Sequence, residues 1–147
     1  MYELKVVRER RHGYGTLKRV RSAHDVYEAF RERFEPLDRE QFVVLLLDGK
    51  NRVLGFNVVS TGSLTAALVH PREVFKPAIL ANAAAIILLH NHPSGDAEPS
   101  PEDRAITERL RHAGELLGIR ILDHVVIGDG RYVSFAEQQL LQYTEPT

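Results

Sequence analysis

An apolar run from Ala83 to Leu89 ends on His90-Asn91-His92-Pro93, crosses the turn-forming Ser94-Gly95-Asp96 and reaches Ser100-Pro101-Glu102-Asp103. No other stretch constrains the fold as strongly. A short continuous apolar run bounded by turn residues reads as a buried strand. Side chains alternate faces along a strand, so His90 and His92 point to the same side if extended geometry lasts to Pro93. Beyond the turn, Ser100 three residues ahead of Asp103, with Pro101 between them, reads as a helix N-terminus in which the Ser100 hydroxyl accepts from the Asp103 backbone N–H. Strand, turn and helix in that order bring two imidazoles and a carboxylate toward one point. Two nitrogen ligands and one oxygen ligand leave the fourth tetrahedral position of Zn²⁺ open, as in catalytic rather than structural sites. A plainer reading, strand-end histidines beside a capped helix, uses the same residues. The two are compatible, because the cap needs the hydroxyl and the backbone and leaves the Asp103 carboxylate free.

The rest of the chain supplies a scaffold. Residues 3–8 are weakly strand-like, and Ser22 caps a helix over 23–34 with Val26, Ala29, Phe30 and Phe34 on one side and Pro36 beyond its end. Gln41 to Asp48 is a continuous apolar strand expected to be covered on both faces. Asp48-Gly49-Lys50-Asn51 turns it into a second strand from Arg52 to about Ser60, a β-hairpin. A helix follows from Pro71 to about Asn82 with Val74, Phe75, Ala78 and Ile79 inward, and Pro77 predicts a kink or restart within it. Helix 101–117 repeats Ile106, Leu110, Ala113 and Leu117 along one stripe and closes at Gly118. Strand 119–127, a turn at 128–130, a short strand 131–134 and a final short helix 135–141 complete the order. The simplest packing is α/β of the α+β type: a single mixed β-sheet flanked by helices.

The chain of 147 residues is long enough for one domain with a proper core. That domain is expected over 37–147, with 1–36 a basic strand and helix segment packed on it. Cysteine is absent, so any metal must be held by nitrogen and oxygen. The net charge of −1 argues against a dominant polyanionic partner. Yet Lys5, Arg8, Arg10, Arg11, Lys18, Arg19 and Arg21 face a single acid, Glu9, so residues 5–21 read either as a weak nucleic-acid contact or as a solvated arm. No apolar run approaches a membrane span and no signal peptide is evident, which makes the cytoplasm the expected compartment. The apolar hairpin Phe42–Val59 offers surface for oligomerisation.

His90, His92, Pro93, Ser100 and Asp103 fall in the pattern His-x-His-Pro-x6-Ser-x-x-Asp, which resembles the signature of the JAMM (MPN+) metalloproteases. The flanks Val69-His70-Pro71-Arg72-Glu73-Val74-Phe75-Lys76 and Leu122-Asp123-His124-Val125-Val126-Ile127-Gly128 are similar to those of the RadC family, and the resemblance covers about residues 37–141. It implies a JAMM/MPN, cytidine-deaminase-like architecture and a zinc-dependent hydrolase of peptide or isopeptide amides in an unknown protein substrate. It implies Zn²⁺ on His90, His92 and Asp103, Glu40 as general base and Ser100 as donor to the oxyanion. Glu73, on the first turn of its helix, is the competing base. His124 is open between a fourth ligand, a partner of a ligand and a strand-edge histidine, while Asn91 is expected to face away from the metal and brace the loop. The resemblance is to the short form without an N-terminal helix-hairpin-helix domain, as in RadC-like proteins of mobile elements. The family's association with DNA repair supports the alternative, a DNA-binding protein with a structural or degenerate metal site.

Overall fold

The elements run α1 (Ala23–Phe34), β1 (Gln41–Leu47), β2 (Val53–Thr61), α2 (Pro71–Leu80), β3 (Ala85–Asn91), α3 (Pro101–Leu117), β4 (Arg120–Ile127) and β5 (Tyr132–Ser134). They belong to a computed structural model, which describes residues 1–9, 17–62, 69–141 and 143. The strands form one mixed sheet in the order β2-β1-β3-β4-β5. β1 is antiparallel to β2 and β3, β3 is parallel to β4, and β4 is antiparallel to β5. The parallel pair requires a crossover, which α3 provides.

Residue parity along the central strands sorts the core into two halves. Phe42, Val44, Leu46, Ile86 and Leu88 face Val74, Phe75 and Ala78 of α2 and Ile106 and Leu110 of α3. Val43, Leu45, Leu47, Ile87 and Leu89 face Val26, Tyr27, Phe30 and Phe34 of α1. Helices thus cover both faces, which is why β1 is apolar from Phe42 to Leu47 and β3 from Ala85 to Leu89, whereas the outer strand β2 has no fully buried residue and exposes Leu54, Asn57 and Thr61. Burying each such aliphatic or aromatic side chain contributes about 1.5–3 kcal/mol. The same parity places His90 on the α2–α3 face, opposite Phe42 in the β1–β3 register.

The single mixed sheet flanked by helices matches the expected class. Ser22 caps α1 through the Asp25 amide, and Gly118 ends α3 in the left-handed region at φ 72°. Several local expectations are corrected. α2 runs through Pro77 without a restart, held by buried Val74, Phe75 and Ala78, while Ile79 is 52% exposed rather than inward. The α3 stripe continues to Gly114 instead of Leu117, which is exposed. A Cβ on Gly114 would lie 2.4 Å from the Ile119 carbonyl oxygen, so glycine permits α3 to press on the entry to β4. Residues 3–8 form no strand and are exposed. Residues 135–139 form turns in place of the final helix, because the Phe135 and Ala136 amides donate to the His124 carbonyl and the Asp123 carboxylate. Within the basic segment 5–21, residues 10–16 lie outside the described residues; Arg19 bridges to Arg52 at the start of β2.

Candidate metal centre

β3 carries His90 into the core, 1% exposed, with Phe42 stacked on its ring at 6.0 Å. One residue beyond the strand, the His92 amide donates to the Ile127 carbonyl at 2.9 Å. This extends the parallel ladder past β3, so both rings share a face. The chain then reverses: the Gly95 amide donates to the His92 carbonyl at 3.0 Å, at φ 92° where glycine is favoured. The Asp129 amide donates to the Gly95 carbonyl at 2.9 Å, tying this loop to the β4–β5 turn. His92 Nδ1 lies 2.8 Å from the Asp96 carbonyl oxygen. A carbonyl only accepts, so Nδ1 carries the proton and Nε2 of the neutral ring is bare.

α3 opens on a capping box. The Asp103 amide donates to Ser100 Oγ at 3.1 Å, and the Ser100 amide donates to Asp103 Oδ2 at 2.8 Å. The carboxylate is therefore not free of the cap; one oxygen serves cap and cluster together. Oδ2 lies 3.0 Å from His92 Nε2 and Oδ1 lies 3.1 Å from His90 Nε2, while the two Nε2 atoms are 3.0 Å apart.

Glu40 arrives from a separate segment, at the entry to β1. Its side chain is 29% exposed, and Oε1 lies 4.0 Å from His92 Nε2. Ligand atoms of Glu40, His90 and His92 all fall within 4.8 Å of one another, a group that could hold a metal ion. Asn91 sets this approach: its Oδ1 accepts from the Gln41 amide at 2.8 Å and its Nδ2 donates to the Arg39 carbonyl at 3.0 Å. It braces the residues on either side of Glu40, rather than the ligand loop that the sequence suggested. Glu73 pairs with Lys76 at 2.9 Å on α2 and is not among the grouped metal-binding side chains of the described residues.

The donor set suits a cation. Three ligands about 2.0–2.2 Å from a tetrahedral zinc stand roughly 3.3 Å apart, close to the spacing of the His90, His92 and Asp103 atoms. Bare nitrogens and carboxylate oxygens repel at such distances unless a cation or a proton lies among them. The electrostatics express the same need. A protonated His92 Nε2 would donate to Asp103, which raises the pKa of His92 above its ordinary value, against the effect of burial. Burial pushes Asp103 up, but the two imidazoles facing it, hydrogen-bond donors when protonated, prevail and hold its carboxyl far below the usual range.

His124 on β4 is fully buried, and burial followed by the proximity of His90 pushes its pKa well down. Its Nε2 lies 2.8 Å from His90 Nδ1 and its Nδ1 lies 2.5 Å from Thr107 Oγ1. It contacts His90 on the Nδ1 side of the ring, away from the Nε2 that faces Asp103 and His92. Thr107 was not singled out in the sequence, although a polar residue beside Ile106 on the buried face of α3, one turn after Asp103, is the signal that marks it. Of the other histidines, His112 pairs with Glu108 at 3.1 Å and His24 lies 3.8 Å from Glu28, while His12 is outside the described residues.

Comparison with known proteins identifies the family. A family model described as the RadC-like JAB domain matches residues 20–140, a span that includes α1. A UPF0758 protein of Pelobacter propionicus is 54% identical over 125 residues, covering 85% of this chain and 55% of that protein. One from Geobacter sulfurreducens is 53% identical over 124 residues (84% and 54%), and one from Methanococcoides burtonii is 53% identical over 121 residues (82% and 53%). The chain spans about half the length of these curated relatives. With most of its length inside the match, this chain belongs to the RadC-like JAB domain family.

Proposed function

We propose that the chain is a zinc-dependent hydrolase that cleaves peptide or isopeptide amides. The observation that carries this reading is the approach of Glu40, from the entry to β1, to within 4.0 Å of a histidine in the His90–His92–Asp103 cluster. At 4.0 Å from His92 Nε2, against 3.0–3.1 Å among the atoms of the cluster, and 29% exposed, the Glu40 carboxylate is placed to meet a water at the open position rather than to close the site as a fourth ligand. His90, His92 and Asp103 would hold the ion, which when bound supplies Lewis-acid activation of water, lowering its pKa toward about 7.

The chain's own groups account for the remaining chemistry. Glu40 accepts a proton from the attacking water and returns it to the leaving amine, a role typically worth about 10²–10⁴-fold. Ser100 accepts the Asp103 amide with its oxygen lone pairs and keeps its hydroxyl proton for the oxyanion of the tetrahedral intermediate. Asn91 holds the backbone on either side of Glu40.

The test measures metal content and cleavage of an amide library in wild type, His92→Ala and Glu40→Gln. Stoichiometric zinc is expected in wild type and Glu40→Gln and is lost in His92→Ala. Cleavage falls by about 10² or more in both variants. A wild type without stoichiometric metal defeats the reading. Full activity in Glu40→Gln moves the base elsewhere.

A further inference from the structure

We infer that Thr107 and His124 are positioning residues that fix the tautomer of His90, so that its Nε2 faces the metal centre without a proton. The inference rests on the zinc reading above and adds two residues that contact no part of the reaction.

Counting protons along the buried chain of contacts gives the direction. Thr107 Oγ1 donates to the Asp103 backbone carbonyl at 2.7 Å, one turn back along α3. A hydroxyl has one proton, so toward His124 Thr107 offers only lone pairs, and His124 Nδ1, 2.5 Å away, must carry the hydrogen. His124 is 0% exposed, with no carboxylate hydrogen-bonded to its ring among the described residues, and an imidazolium there would be costly. The ring is neutral and its Nε2 is an acceptor. His90 Nδ1, 2.8 Å from that acceptor, therefore holds the His90 proton. What remains is a lone pair on His90 Nε2, directed at Asp103 Oδ1 and His92 Nε2.

Asp103 stands at both ends of this relay. Its carbonyl fixes the Thr107 proton, while its carboxylate belongs to the cluster that His90 joins. If every proton in the chain were reversed, His90 Nε2 would be protonated at the very point where a ligand is needed. The Thr107 hydroxyl decides between the two directions because the Asp103 carbonyl competes for its proton.

The decisive measurement is long-range ¹H–¹⁵N correlation of the imidazoles in the wild-type chain titrated with zinc. His124 is expected protonated on Nδ1 and bare on Nε2, and His90 protonated on Nδ1. A proton on His124 Nε2 overturns the inference, and this arm does not depend on a variant folding. Zinc affinity by competition with a chromogenic chelator gives the second arm. Thr107→Val, which keeps the shape and removes the hydroxyl, is expected to bind zinc about 10–100-fold more weakly, with Thr107→Ser close to wild type. Equal affinity in wild type and Thr107→Val overturns the relay alone. A wild type that binds no zinc overturns the metal reading and the relay with it, so the two failures are distinguishable.

Discussion

Single residues do two jobs at this centre, and variants can separate them. Asn91 sits between the two histidines on β3 yet reaches across to the backbone of Arg39 and Gln41. Asn91→Ala removes both bonds from the part-buried Gln41 amide and Arg39 carbonyl, about 0.5–1.5 kcal/mol for each. Its specific effect is on Glu40, which those bonds bracket. Zinc content is expected to stay stoichiometric while kcat drops, with Asn91→Asp intermediate because it accepts from Gln41 but cannot donate to Arg39; loss of zinc in Asn91→Ala contradicts this. Ser100 can be treated similarly. Glycine at an N-cap costs only a few tenths of a kcal/mol, so Ser100→Gly retains most of the α3 cap while removing the hydroxyl. Thermal stability should then barely move while turnover falls by about 10²–10³. Unchanged turnover would leave Ser100 as a cap alone. Residues 90, 92 and 103 were legible from spacing because strand, turn and helix geometry is local. Glu40 was not; only family resemblance named it, since its approach depends on the β1–β3 pairing that sets Phe42 opposite His90.

At the scale of elements, the ligand loop is shaped from outside by the β4–β5 turn. A Cβ on Gly128 would stand 2.3 Å from the Gly95 carbonyl oxygen and 2.9 Å from the Ala97 nitrogen. Both are backbone atoms, so no rotamer change relieves the clash and the loop bearing His92 must shift. Gly128→Ala is expected to lower the melting temperature and weaken zinc binding by about tenfold or more, since a supporting shell of this kind sets metal affinity. Gly130→Ala is the control. Gly130 has nothing within 4 Å of a built Cβ and a φ of 64°, so its substitution costs about 1–2 kcal/mol of backbone strain without touching the loop. Equal zinc affinity in Gly128→Ala and wild type would remove the turn from the account of the site. The sequence offered Gly128 only as a turn residue, because the atoms it must avoid lie in a distant segment. The misread final helix has a related cause: Asp123 Oδ1 accepts from Ala136 and Oδ2 from Ser134, long-range bonds that tie the segment to β4 as a series of turns. Local periodicity carries no trace of them.

For the molecule as a whole, the sheet keeps the packing of α1 on the face away from the His90 cluster. Its odd-numbered residues on β1 and β3 rest on α1, while the even-numbered ones, His90 among them, face α2 and α3. The mixed sheet and its two covered faces were legible because β1 and β3 lack any polar alternation, which leaves no solvated side. Which helix covers which face follows from the pairing order and was not. Phe30 tests the division. It is 3% exposed on α1 and meets Phe56 edge-on at 5.6 Å, on the face away from the His90 ring. Phe30→Ala creates a cavity there and is expected to cost about 3–5 kcal/mol in denaturant unfolding. Zinc affinity of the folded protein should remain within about twofold of wild type, because changes far from one another and without shared partners act independently. If affinity instead falls along with stability, the packing of α1 is transmitted through β3 to the ligands, and the helix inside the family match at residue 20 onward is part of the metal centre rather than its support.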